Sequence, residues 1–535
     1  MTDASMRHEM SQRRCTFPSM RPLSKSKLLA YRQCTKRLWL EVHSPGLRED
    51  SSSTLASFAN GHQVGELARG LYDPQGVGET LDPQALGIGG LLARTRELVL
   101  ERRTIFEAGF ENGDPVAGAL ALADVLQPHE DGVTWRMVEV KSSTGLKNYY
   151  LDDAAIQYHV ATASGVALAS VHVAHIDSSW TYPGDNDYSG LLVEKDVTSQ
   201  ARERQPEVAR WLREAHWLVS QGQPPAQPRG RHCSQPFACG FQAHCRQEED
   251  AQSGHEQHPI DWLPGRKSRA LEAHVATNAV RGMQHLPDEL LGSAQLRVKR
   301  HTLAGTTYFD AKGATGALAG HSLPALFLDF ETIAFVVPIW RGTRPYEQVP
   351  FQFSLHRLAP DGTHAHTGFL DLSGQDPSEW IARALIACGG TAEPVFAYNK
   401  SFESGRLRAL AGRFPALASG LLGIDARLVD LLPVASKFYY HPAQHGSWSI
   451  KAVLPTIAPD LDYANLDGVQ DGGGAQGAYI EAIDPQTSGE RKAELRQQLW
   501  RYCRLDTYGM VRLWSHFSQR SCLPDMSTSI DVAAV

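Results

Sequence analysis

Apolar and polar positions along this chain follow two periods, and each change of period marks a change of element. Leu28, Leu29, Tyr31, Leu38 and Leu40 fall on roughly one helical face, and Ser24 stands where such a helix takes its N-cap. One helix carrying Cys34 is therefore expected from Ser24 onward, with a second over residues 58–71 that contains Gly61, His62 and Glu66. Residues 118–124 and 135–143 are apolar and rich in strand formers, and the turn residues from Pro128 to Gly132 join them as a hairpin. Residues 153–164 predict a helix with Gly165 at its C-terminal cap, and residues 166–176 a buried strand. The order helix, strand, strand, helix, strand indicates an α/β domain.

From about residue 250 to 323 the composition changes, and a helical stretch lies between segments at Trp262 and His285, followed by a helix over residues 293–301. An apolar strand is then expected at residues 326–332, a strand running into a helix over 395–410, and a helix over 500–508. At 535 residues the chain exceeds one core, and at roughly 150 residues per domain it holds about three. The expected divisions are a disordered tail at 1–20, an α/β domain at 21–250, a short helical connector at 251–322, a second α/β domain at 323–520 and a tail at 521–535. No apolar run reaches membrane-spanning length, and the first residues lack the apolar core of a signal peptide. The expectation is a cytoplasmic protein with no membrane partner.

Hydrophobic residues make up 42% of the chain and charged residues 21%, ordinary for soluble globular material, so the class stays open. A net charge of −7 excludes a protein that coats nucleic acid with its whole surface, but not one that meets phosphates locally. The local basic stretches are 25–27 with Lys36 and Arg37, 229–232, and 297–301, each of which reads first as a solvated face. The hairpin carries more pointed chemistry. Asp124 ends one strand beside Glu139 and Lys141 on the next, and residues two apart on a strand share a face. Carboxylates meeting at a strand edge can hold Mg²⁺ or Mn²⁺, and a nearby lysine can orient the water that attacks a phosphodiester. The bland alternative is an ordinary Glu–Lys pair on a surface strand, since a Glu-x-Lys triplet occurs by chance in most long chains.

Three of the eight cysteines, Cys233, Cys239 and Cys245, fall together with five residues between neighbours. In a cytosolic chain such grouping points to a metal or cluster site rather than disulfides, and the wide spacing leans from structural zinc toward an iron-sulfur cluster. Cys34 is the expected fourth thiolate, tying the first helix of the domain to its last loop. Cys15, Cys388, Cys503 and Cys522 read as scattered or buried thiols.

Taken together, Cys34, Asp124, Glu139, Lys141, Gln157 and the Cys233, Cys239 and Cys245 group resemble the Cas4-like and RecB-type branch of the PD-(D/E)XK nucleases over residues 21–250. The resemblance implies a restriction-endonuclease-like fold, metal ligation by Asp124 and Glu139, catalytic roles for Lys141 and Gln157, and a 4Fe-4S cluster on the four cysteines. Gln157 matches a Gln-x-x-x-Tyr helix motif whose last position is here Ala161, with Tyr158 the nearest aromatic. His62 or Glu66 could supply a further ligand, as a residue before the hairpin does in some relatives. The connector resembles a small helix-hairpin-helix-like module, and a passive linker explains the same residues equally well.

In the second α/β domain, Asp329 and Glu331 lie two apart on an apolar strand, Glu403 sits in the first turn of a helix, and Tyr502 and Asp506 lie four apart on another. Acids on a strand and two helices in this order resemble the DEDD exonucleases with an RNase H-like α/β fold, and the Tyr-x-x-x-Asp spacing resembles their tyrosine-bearing subgroup. The resemblance implies metal ligation by Asp329, Glu331, Glu403 and Asp506, a water-positioning Tyr502, and removal of nucleotides from 3′ ends. Glu403 departs from the family's Asp by one methylene, and Asp430 matches an accessory position that reads as structural. Residues 338–356 resemble a bacterial domain family of unknown function, DUF2779, over most of 321–520. The expected protein is thus a two-module, metal-dependent nuclease acting on nucleic acid, DNA before RNA. The competing expectation is a nucleic-acid-binding scaffold in which one or both centres are inactive.

Overall fold

Strand pairing around the hairpin organises the first part of the molecule. The protein is seen as a computed structural model that describes residues 21–522; the tail expected at 1–20, Cys15 within it, and all but the first two residues of the tail at 521–535 lie outside the described residues. The chain is mixed α/β and forms two compact units, residues 21–254 with 336–345, and residues 255–335 with 346–522. Among the described residues no helix is long and apolar enough to cross a membrane.

The first unit runs β1 (Leu23–Ser24), α1 (Lys25–Gln33), α2 (Thr35–His43), α3 (Ser52–Tyr72), β2 (Glu79–Thr80), α4 (Pro83–Glu101), β3 (Ile105–Glu111), β4 (Ala119–Pro128) and β5 (Trp135–Lys141). It continues with α5 (Asn148–Ala163), β6 (Leu168–Ile176), β7 (Leu192–Asp196), α6 (Thr198–Glu203), α7 (Gln205–Val219) and α8 (Gln242–Ser253). One sheet is ordered β2-β3-β4-β5-β6-β7, with β1 parallel to β4 off that path. β3, β4 and β5 are antiparallel neighbours, whereas β6 returns parallel to β5, a connection that requires a crossover and receives it from α5. Met137, Val138, Val171 and Val173 are fully buried, as expected of strands in the middle of a covered sheet.

Three local features depart from the sequence reading. The first expected helix is two, because Cys34 takes an extended conformation (φ −161°, ψ 124°) that ends α1 and caps α2 through its own sulfur, which accepts from the Arg37 N–H. Leu38 and Leu40 resume the apolar face after the break, so the period alone does not register it. α5 begins at Asn148 rather than 153, since the consecutive Tyr149, Tyr150 and Leu151 give no helical period. β6 begins at Leu168 rather than 166, because Gly165, at φ 97°, lets the Val166 N–H turn back to Ala161 and close the helix.

In the second unit α9 (Arg269–Asn278), α10 (Ser293–Ala304), β8 (Tyr308–Phe309) and α11 (Ala311–Leu318) precede β9 (Ala325–Ile333), β10 (Val349–Leu358) and β11 (His364–Leu370). Then come α12 (Ser378–Cys388), β12 (Val395–Ala397), α13 (Ser401–Arg413), α14 (Ala418–Asp425), β13 (Leu428–Asp430), α15 (Leu432–Phe438) and β14 (Tyr439–Tyr440), with α16 (Ile450–Ile457), α17 (Gly472–Ile483) and α18 (Gly489–Ser518) last. The five-stranded sheet is ordered β11-β10-β9-β12-β13; β10 is antiparallel to both neighbours, while β9, β12 and β13 are mutually parallel. Leu326, Leu328 and Phe330 of β9 enter the core with α12, α13 and α14. Alternation sends Phe327, Asp329 and Glu331 to the other face, where Phe327 meets Trp514 of α18.

The connector is an ordered part of this unit. Leu263, Leu271, Met283, Leu286 and Val298 share a buried cluster with Tyr440, Trp262 stacks on His445 at 3.9 Å, and Thr302 hydrogen-bonds the Tyr440 hydroxyl at 2.6 Å. Gly446, at φ 74°, lies so close under the Trp262 carbonyl that a Cβ there would collide with it.

Candidate metal centres

In the first unit, Asp124 lies inside β4 rather than at its end, and its Oδ2 accepts the Val140 N–H at 2.7 Å. Glu139, 2% exposed, and Lys141 project from β5, and the Lys141 Nζ donates to Glu139 Oε1 at 2.5 Å and to Asp153 Oδ2 at 2.6 Å. Gln157, fully buried one turn beyond Asp153 on α5, donates to the other Glu139 oxygen. Tyr158 instead packs against the hydrophobic core, and His62 and Glu66 are exposed on α3.

Three residues not singled out for this centre complete it. β1 pairs with β4 at Leu23 and Ser24, which delivers Lys25 to the site; its Nζ lies 2.9 Å from Glu139 Oε1 and 3.2 Å from Asp153 Oδ1. The stretch around Lys25 is therefore not simply a solvated face. Asp153 is 2% exposed. Glu107 falls across from Asp124, between the pairs Phe106–Val125 and Ala108–Ala123, with the left-handed φ of 59° that strands rarely contain. No periodic signal marks Glu107, because its backbone leaves the strand conformation.

Electrostatics divides these acids. Burial and then the Glu139 charge push the Asp124 carboxyl up to about 8. Burial pushes Glu139 up as well, but Lys141 and Lys25 more than reverse this and hold it well below the ordinary range. The same ion pairs outweigh burial at Lys25 and Lys141 and keep both ammonium groups charged.

Cys34, Cys233, Cys239 and Cys245 line one small pocket with Lys36, Arg37 and Gln227. Gln33 donates to the carbonyls of His232 and Phe237, both at 2.7 Å, and so ties α1 to the cysteine loop; Gln227 Oε1 receives the Cys34 thiol at 3.4 Å. Burial raises the Cys34 and Cys239 thiols and takes Cys245 up to about 11.

In the second unit, Asp329, Glu331 and Cys503 bring ligand atoms within 4.8 Å of one another, and the Cys503 thiol lies 3.8 Å from Asp329 Oδ2. Asp506, 7% exposed and three residues beyond Cys503 on α18, accepts the Tyr463 hydroxyl at 2.6 Å. Tyr502 is 4% exposed, and the Lys451 ammonium lies 5.0 Å from its ring and 5.1 Å from that of Tyr463. Glu403, 2% exposed in the first turn of α13, has an Oε2 with no hydrogen-bond partner among the described residues. Asp430 is occupied by the N–H groups of Asn399 and Leu432 at 2.9 and 3.0 Å, a backbone-holding role.

These acids are forced together with little compensation. Burial and then Asp506 raise Asp329 and Glu331 well above the ordinary carboxylate range. Burial takes Glu403 to about 8 and Asp506 to about 6, with Arg406 opposing the first and Lys451 the second. Tyr463 and Lys451 carry no motif in the sequence, whereas Cys503 could have been found from its place one helical turn before Asp506.

Residues 326–449 match the family described as a domain of unknown function, DUF2779. That match takes in Asp329, Glu331, Glu403 and Asp430 and ends before Tyr502, Cys503 and Asp506. No curated protein matches the chain.

Proposed function

We propose that the protein is a metal-dependent nuclease with one centre in each unit, acting on the phosphodiester backbone of nucleic acid, DNA before RNA. The observation that carries this reading is the set of buried acids on β9, α13 and α18, four carboxylates gathered around an interior with Lys451 as the nearby cation for Glu331 and Asp506. A divalent ion held there would neutralise the site and polarise the phosphate. The order of the five strands, third-second-first-fourth-fifth with the second antiparallel, supports an RNase H-like second domain. In the first unit the succession α4-β3-β4-β5-α5-β6 supports a PD-(D/E)XK fold. Tyr502 lies one turn from Asp506, where its hydroxyl would orient the attacking water. Lys141 would hold Glu139 and steer the water of the first centre. The four cysteines hold a 4Fe-4S cluster in this reading, supported by their lining of one pocket; visible absorbance and bound iron, lost in Cys34→Ala, test it.

Lys25 favours a second reading of the first centre alone. Its ammonium already sits on Glu139 and Asp153, so that centre could be a permanent internal ion-pair network that serves a nucleic-acid-binding scaffold. One assay separates these. End-labelled single- and double-stranded DNA and RNA are incubated with wild type, Glu139→Ala, Asp329→Ala and the double variant, with Mg²⁺, Mn²⁺ or EDTA. Each single variant should lose one of two cleavage patterns, and the double variant and EDTA should lose both. Unchanged cleavage by the double variant would remove the proposal, and unchanged cleavage by Glu139→Ala alone would leave the scaffold reading for the first unit.

A further inference from the structure

We propose that Cys503 is a ligand of the second centre, and that Asp329, Glu331 and Cys503 together take a thiophilic divalent ion of the Zn²⁺ or Co²⁺ class in preference to Mg²⁺. The inference rests on the reading of this centre as a metal site and adds which metal it selects.

A thiol that only fills a core faces apolar groups, but Cys503, fully buried, donates its thiol hydrogen to a carboxylate. Its sulfur is 3.8 Å from Asp329 Oδ2, and an oxygen of Glu331 lies within the same 4.8 Å set. A tetrahedral ion with a bond to sulfur of about 2.3 Å and bonds to oxygen of about 2.1 Å sets sulfur and oxygen ~3.6 Å apart. The observed separation is close to that before any ion draws the groups in. Mg²⁺, by contrast, demands near-octahedral oxygen ligands and gains nothing from a thiol.

Two further features point to an ion rather than to chance proximity. Glu403, 2% exposed, leaves Oε2 without a hydrogen-bond partner while lying near enough to Asp329 to add to its charge. A buried carboxylate oxygen in that position is costly unless a cation faces it. Asp506, 7% exposed, adds a second buried acid whose charge acts on both Asp329 and Glu331. Cys503 therefore acts as a specificity-determining residue beside the acids that the sequence pattern shows.

Cobalt reads this directly. The full-length protein, freed of loosely held divalent ions, is titrated with Co²⁺ and followed as a difference spectrum, for wild type, Cys503→Ser and Asp329→Asn. Comparison with Cys503→Ser cancels the other cysteines, which that variant retains. Wild type should show a sulfur-to-cobalt charge-transfer band that Cys503→Ser lacks. Removing an outer partner of a ligand already costs roughly 10- to 100-fold in metal affinity, so losing the ligand itself should weaken Co²⁺ binding at least tenfold. Mg²⁺ binding should be unchanged in Cys503→Ser, and Asp329→Asn should lose both ions. If Cys503→Ser fails to fold by circular dichroism, Cys503→Ala is read in its place. Identical cobalt spectra and affinities in wild type and the Cys503 variant, with binding still lost in Asp329→Asn, overturn the thiolate and leave the metal centre standing. Identical binding in all three overturns both.

Discussion

The two centres solve the same electrostatic problem in opposite ways. In the first, Asp124, Glu139 and Asp153 meet two ammonium groups, Lys25 and Lys141, from a helix start and a strand. In the second, Asp329, Glu331, Glu403 and Asp506 meet a thiol, two tyrosine rings and the Lys451 ammonium that stands over those rings. Buried carboxylates in a low-dielectric setting repel one another unless a cation is close. The first centre carries its cations in the chain, whereas in the proposed function the second leaves that role to an ion. A pair of acids in a sequence therefore says little about metal dependence until the positions of the lysines are known.

The largest expected effect breaks the first centre's internal compensation. Lys25→Met leaves Glu139 and Asp153 short of a partner in a buried site, and removing one partner of a buried pair costs about 3–5 kcal/mol. Urea unfolding should show a loss near the lower end of that range, because Lys25 is partly exposed. A loss below about 1 kcal/mol, the level of a surface pair, would mean that the two centres do not differ in this way.

Metal addition sharpens the contrast from the other side. Mn²⁺ at a hundredfold excess over its dissociation constant should stabilise the folded protein by about 2.7 kcal/mol. The part of that gain that belongs to the second centre should persist through thermal unfolding in Glu139→Gln and be lost in Asp329→Asn. Loss in Glu139→Gln instead would place the metal dependence in the first centre.

Acidity should act on the raised and the lowered acids of the two centres with opposite sign. Glu403, raised from an ordinary 4.5 to about 8, binds its proton more tightly folded than unfolded, so its contribution is full below 4.5 and is lost as pH rises toward 8. Asp124, raised to about 8, shares that sign. Glu139, held low by its lysines, contributes above 4.5 and loses that contribution as pH falls further. Metal-free protein should accordingly be most stable in mildly acidic solution. Glu403→Gln should flatten the decline between pH 5 and 8 by at most ~1.4 kcal/mol per pH unit. A slope identical to wild type would show that Glu403 is not buried as a neutral acid.

The smallest effect concerns side-chain length. Glu403→Asp moves a carboxylate by about one bond length, and metal geometry is strict. In a Glu139→Ala background the variant should retain or raise exonuclease activity on labelled 3′ ends. Total loss would show that the second centre is built around the longer side chain.

Much of the architecture was legible in the chain itself. The apolar, strand-prone runs at residues 118–124 and 326–332 identify the strands, and a strand's period of two, a property of the backbone, sets which residues share a face. The same logic puts Tyr502 and Asp506 on one helical face. The single-residue break at Cys34 was not legible, since the apolar period continues across it.

Only the tertiary structure decides which groups meet across long stretches of sequence. Lys25 reaches Glu139 across 114 residues because β1 pairs with β4, Asp329 meets Cys503 across 174 because α18 lies on β9, and the connector shares a core with Tyr440. Local propensity carries no information about such pairings, since they are selected by the burial of whole faces rather than by any residue's immediate neighbours. Asp124, Glu139, Lys141, Asp329, Glu331, Glu403 and Asp506 could be named from the sequence, but Glu107, Asp153, Lys25, Lys451 and the thiol, which determine how those acids behave, are set by packing.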